Sequence, residues 1–135
     1  MRIDELSVGD WVTYDRDTTP VQVVGLYHRT KQDCVEMSDS HYPEGVIGFV
    51  EYLQPIPITV EILEKNGLEF IDDGNDAVIF LCCDMFWARL CVGDCFWSIG
   101  VHSEDRLDAV TCNVKSVHQL QHALRLAGVG KEIEL

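Results

Sequence analysis

Basic residues are scarce. The chain carries 10 Lys and Arg against 23 Asp and Glu, a formal net charge of −13 over 135 residues. Nucleic acids and anionic bilayers attract proteins through a surplus of cations, so direct nucleic-acid binding and membrane-surface binding are excluded as expected functions. Long apolar runs are missing as well. The longest, Ala77–Cys83, is far shorter than a bilayer span. No apolar stretch of leader length follows the acidic opening Met1-Arg2-Ile3-Asp4-Glu5, and a cytoplasmic location is expected. There is no phosphate-cradling glycine loop, no nucleophile elbow and no dinucleotide fingerprint. No cofactor is therefore expected, and a non-enzymatic role leads.

What is present is enough to fold. Apolar residues make up 47% of the chain, ample for a core and against wholesale disorder. The acid excess is even: residues 1–57 hold 4 basic and 10 acidic residues, net −6, and residues 58–135 hold 6 and 13, net −7. Neither half hides a basic module.

The expected fold is α+β. The first half reads as short strands separated by turn residues, at Trp11-Val12 after a Gly9-Asp10 turn, then 21–27, 34–37 and 45–50. Such spacing suggests a small barrel or curled sheet. The opening Leu6-Ser7-Val8-Gly9-Asp10-Trp11-Val12 is similar to first strands of SH3-like barrels. Pro55 and Pro57 in 53–59 read as a joint without regular pairing. This divides the chain into a β-rich subdomain, 1–54, and an α+β subdomain, 55–135.

In the second half Thr59 suits a helix N-cap, Ile58 and Leu63 have staple spacing, and Gly67 suits the C-terminal stop, which predicts a helix over 60–66. Strands follow over about 68–114, with turns at 72–76, Gly93-Asp94 and 103–106. A closing helix over about 116–127 carries Val117, Leu120, Leu124 and Ala127 on one face and His118, Gln121, His122 and Arg125 on the other.

One hairpin carries the best surface prediction. A two-residue turn at Gly93-Asp94 pairs Trp87 with Gly100 and Ala88 with Ile99. One face, from Phe86 and Ala88 through Cys95, Trp97 and Ile99, is then wholly apolar and belongs in the core. The other sets Trp87 and Phe96 beside Arg89, Ser98 and Gly100. Two readings stand for that second face. A helix covers the aromatics, with Trp87 over Gly100, or Trp87, Arg89 and Phe96 form a patch for a protein partner, since Trp and Arg are enriched in interface hot spots.

Candidate chemistry is sparse. The six cysteines read as small buried hydrophobes. Cys91 and Cys95 have zinc-knuckle spacing, but Cys82 and Cys83 are adjacent and cannot form the second knuckle, so no metal is expected. Asp72, Asp73, Asn75 and Asp76 lack the ligand pattern of a calcium loop. His118 and His122 are spaced to chelate, but Gln119 stands where the metalloprotease motif needs Glu, and two surface histidines are expected. Cys34 with His28, His41 or His102, or Cys91 with the helix histidines, supplies the material of a thiol- or metal-dependent enzyme without a nucleophile signature. An acidic mimic of DNA is the other alternative, motivated by the net charge.

Two segments carry a resemblance. The stretch Pro55-Ile56-Pro57-Ile58-Thr59-Val60-Glu61-Ile62-Leu63 through Gly67 is similar to a P-I-P-L-T-E-E-x-L-x-x-x-G-F pattern, with Leu68 in place of the final Phe. The stretch Val117-His118-Gln119-Leu120-Gln121 is similar to V-H-Q-L-Q-N-L-Y, departing from it at His122-Ala123-Leu124. Both patterns occur in that order in small uncharacterised proteins of phages and mobile elements from gut anaerobes. The resemblance implies a bacterial or phage cytoplasmic setting, and it implies no activity and no catalytic residues.

Overall fold

The computed structural model describes residues 1–72, 77–82, 86–91, 95–103 and 106–135, with side-chain surroundings for 1–69, 87–89, 95–100 and 112–135. The chain is α+β and divides into two compact units, 1–56 with Leu135, and 57–134.

The first unit is an antiparallel sheet of β1 (Trp11–Tyr14), β2 (Val21–Tyr27), β3 (Cys34–Ser38), β4 (Val46–Phe49) and β5 (Leu53–Pro55). The order is β4-β3-β2-β1-β5: a meander, then a 3-10 turn at Val50–Tyr52 that returns the chain to the free side of β1. The Gly9-Asp10 turn stands where the sequence places it. Gly9 has φ of 94°, and the Asp10 carboxylate accepts the Ser7 N–H at 2.8 Å.

Alternation along the strands sends Val12, Val23, Val35 and Met37 inward, where they meet Ile3, Leu6, Val50 and Leu53 in one buried cluster. A register shift between Val23 and Gly25 accentuates the twist of β2 against β3. Among the described residues no pairing joins β4 to β5, so both are sheet edges.

The prolines do not keep the 53–59 segment from pairing, which corrects the sequence expectation. Leu53–Pro55 pairs with β1 through Tyr14↔Leu53, Thr13↔Gln54 and Val12↔Pro55. The reason is position: β5 is an edge strand and Pro55 ends it, so the missing N–H interrupts no inner ladder. Pro57 makes only an isolated bridge to Ser116.

The second unit opens with α1 (Val60–Lys65). Thr59 caps it as expected, its hydroxyl accepting the Ile62 N–H at 3.3 Å, and Ile58 and Leu63 are both buried. The helix stops in a Schellman arrangement: the Leu68 N–H bonds the Leu63 carbonyl and the Gly67 N–H bonds that of Glu64, with Gly67 at φ of 72°.

An antiparallel meander follows: β6 (Glu69–Asp72), β7 (Ala77–Cys82), β8 (Phe86–Cys91), β9 (Trp97–Ser103) and β10 (Arg106–Val114). The apolar β7 is internal, between β6 and β8. The 73–76, 92–94 and 104–105 turns, and Cys83, lie outside the described residues. α2 (Val117–Leu126) closes the meander and ends in the same way as α1, with Val129 bonded to Leu124 and Gly128 to Arg125.

Two tethers hold the last residues within this unit. The Asn66 side chain grips Glu134 by both backbone groups, and Ile133 beside it is 1% exposed. Arg125 also donates to Glu132 at 2.9 and 3.2 Å. That bonding holds the Glu132 carboxyl below the ordinary glutamate range. A depressed folded pKa contributes stability above the unfolded value, and the contribution is lost as pH falls through the folded one. The Glu132 side chain is 62% exposed, so the pair is worth at most about 1 kcal/mol. Glu132→Gln is therefore expected to melt slightly below the wild type at neutral pH, with the difference vanishing under acidic conditions where both chains carry an uncharged side chain.

Candidate functional site

The β8–β9 register is the expected one: Trp87 faces Gly100, Ala88 faces Ile99 and Arg89 faces Ser98. Ala88, Trp97 and Ile99 are buried, so this part of the apolar face is core. The second face behaves differently from a docking patch. Trp87 is 7% exposed, opposite a buried glycine, and its indole N–H finds no acceptor among the described residues. Arg89 and Phe96 are half-buried, and Phe96 lies in a bend ahead of β9 rather than in the strand. Trp87 thus presents almost no surface in this chain.

The cysteines and histidines do not converge. Cys34 is buried in β3, and its thiol donates to the Gln32 carbonyl at 3.7 Å. Cys95 and Cys112 are exposed, against the expectation of burial. Cys95 precedes β9, and Cys112 follows a register shift in β10 that turns the strand. The side chains of Cys82, Cys91, His102 and Asp72 lie outside the described residues, as do Asp73, Asn75 and Asp76 altogether.

His28 is exposed beside Asp33 at 3.3 Å, and His41 is exposed beside Ser40. His118 is buried rather than on the surface, with Nδ1 3.0 Å from the Ser116 hydroxyl and its ring edge-on to His122 at 6.1 Å. Gln121 is buried too, so the inward face of α2 is wider than its apolar stripe. Among the described residues no three His, Cys, Asp or Glu side chains gather as metal ligands. No described helix is long and apolar enough to cross a membrane.

A candidate site that the sequence reading passed over lies in the first unit. An open groove of about 340 Å³ is lined by Tyr14, Val21, Met37, Val46, Ile47 and Tyr42, with Asp17 and Asp39 among its rim residues. β1, β2, β3 and β4 each contribute a wall residue, and the turns after β1 and β3 contribute the carboxylates.

Gly48 sets the depth. A Cβ there would lie 2.6 Å from the Tyr14 ring and 2.8 Å from the Met37 methyl, so only glycine lets both side chains seat against β4. The Tyr14 hydroxyl accepts the Phe49 N–H at 3.3 Å, and its ring meets Tyr52 edge-on at 6.1 Å. Tyr52 in turn lies 6.3 Å from Phe49. Tyr42 is 61% exposed and Ile47 58%, an unusual cost for large apolar side chains on one edge of a small sheet.

Both carboxylates are held in place. Asp17 accepts the Thr19 N–H at 2.9 Å, and this bonding keeps its carboxyl below the ordinary aspartate range. Asp39 accepts the N–H groups of His41 and Tyr42 at 2.7 and 2.6 Å, which orients Tyr42. The sequence carried one signal of this site: Val46 and Ile47 are apolar on both parities of a short strand. Only strand order reveals that β4 is an edge.

Compared with known families, curated proteins and solved structures, the chain matches none.

Proposed function

We propose that the chain is a non-enzymatic, cytoplasmic protein-interaction module, with its first unit an SH3-like fold that carries the binding surface. The observation behind this reading is the apolar groove beside β4, open to solvent and walled by Tyr14, Tyr42 and Ile47. Support for the fold detail comes from a meander whose last strand returns through a 3-10 turn to pair with the first. The bacterial or phage setting implied by the resemblance belongs to the same proposal. The groove is preferred to Trp87, Arg89 and Phe96 as the proposed binding surface, because Trp87 is buried.

A displayed library of random peptides, panned on the full chain and on Ile47→Glu, tests this. Ile47 is exposed and borders the groove, so the substitution adds a charge at its edge without entering the core. Enrichment of peptides by the wild type that the variant fails to retain is the expected result. No enrichment, or binders indifferent to Ile47→Glu, overturns the reading.

A further inference from the structure

We propose that the groove takes an extended peptide segment presenting one Lys or Arg side chain flanked by apolar residues. This rests on the first unit being a protein-binding module, and it names the chemistry of the partner. The groove joins apolar and acidic surface, with the hydroxyl residues Thr19 and Ser38 also in its lining. Val21, Met37, Val46 and Ile47 supply apolar walls with no hydrogen-bonding capacity, and these reward apolar side chains. The charged lining residues are Asp17 and Asp39, both acidic. Their carboxylates are positioned by turn N–H groups rather than neutralised by a lysine or arginine of the lining, so a cation from outside meets two oriented acceptors.

The unit as a whole carries 4 basic and 10 acidic residues over 1–56, which favours approach of a basic segment and repels phosphates. Arg16 adjoins Asp17 in sequence, and His41 adds to the Thr19 bonding that holds the Asp17 carboxyl low; both are exposed outside the lining. Tyr14 and Tyr42 supply aromatic surface against which the stem of a long cationic side chain can lie. Two features favour a peptide over a small cation. The groove is an open trough rather than a closed pocket, and it runs beside β4, an edge strand of the kind to which extended chains add.

Fluorescence anisotropy on the full chain provides the test. The probe is a labelled peptide of alternating Val and Thr with a single central Lys. Companion peptides carry Arg, Glu or uncharged norleucine at the centre. The Lys and Arg peptides are expected to bind about tenfold more tightly than the norleucine peptide, with the Glu peptide weakest and with affinity falling as salt is added. The double variant Asp17→Asn, Asp39→Asn keeps the oxygens that accept the turn N–H groups. It is expected to remove the Lys preference, bringing the Lys, norleucine and Glu peptides to similar affinities.

Equal binding of the Lys and norleucine peptides overturns the cation assignment and leaves an interaction groove standing. Binding of none of the four peptides, with no effect of Ile47→Glu in the panning, removes the parent reading as well. A wild-type dimer in sedimentation that Ile47→Glu converts to monomer would give the groove to a second copy of the chain, and would also overturn the assignment.

Discussion

Replacing Leu53 with Ala is expected to destabilise the first unit by about 2–5 kcal/mol, the usual cost of a leucine truncated in a packed interior. Leu53 is 1% exposed and sits in the cluster with Ile3, Leu6, Val12, Val23 and Val35. It is also the residue through which β5 closes on β1, opposite Tyr14. A unit of this size has little stability in reserve, so a loss of that order populates the unfolded form. Because Tyr14 walls the groove, binding at the groove is expected to fall with it. Urea unfolding followed by hydrogen exchange at the β1–β3 amides measures the loss. Leu126→Ala is the control: Leu126 is 90% exposed, and its truncation is expected to change stability by no more than about 0.5 kcal/mol. A loss below about 1 kcal/mol for Leu53→Ala would mean that β5 does not close the core.

Removing the Asn66 side chain is the second large effect. Its amide oxygen accepts the Glu134 N–H at 2.8 Å, and its amide nitrogen donates to the carbonyls of Glu134 at 2.9 Å and Ile62 at 2.8 Å. One side chain thus pairs with a passing backbone much as a strand neighbour would. It is 6% exposed, so truncation leaves both Glu134 groups without this partner in a poorly hydrated place, while the Ile62 carbonyl keeps the Asn66 N–H. Asn66→Ala is expected to cost about 1–3 kcal/mol and to loosen the anchor at Ile133. Hydrogen exchange reports it directly: the Glu134 amide is expected to lose protection, while amides in the middle of α2 change little. Asn66→Asp keeps the acceptor and loses both donations, so it is expected to fall near the alanine variant rather than near the wild type. Unchanged exchange at Glu134 in both variants would show that the tail is held by Ile133 and the Arg125–Glu132 pair without Asn66.

Much of the local structure was legible. Thr59, Gly67 and Gly128 mark helix ends because capping is a property of the backbone within a few residues. The β8–β9 register was legible for a similar reason, since alternation and a turn position leave few alignments open. Cys95 and Cys112 were misjudged because apolar character says a residue can be buried, while a bend or a shifted register decides whether it is. His118 and Gln121 were misjudged in the opposite sense. Helical spacing put them on the polar face, and the width of that buried face follows from what packs over the helix.

By itself, then, the sequence determined an α+β chain with an acidic surface, its helix termini, most of its strands and the pairing within its central hairpin. These depend on contacts between near neighbours, or on the period of the apolar residues. Tertiary structure alone decided that Leu53–Pro55 is a strand, that Trp87 is buried, that Asn66 holds Glu134, and that β4 is an edge beside an apolar groove rimmed by Asp17 and Asp39. Each depends on which distant segment lies alongside, and the same side chain is core or surface according to that neighbour. The excess of acid over base, first an argument against nucleic acid, is also the ground on which a basic peptide is proposed for that groove.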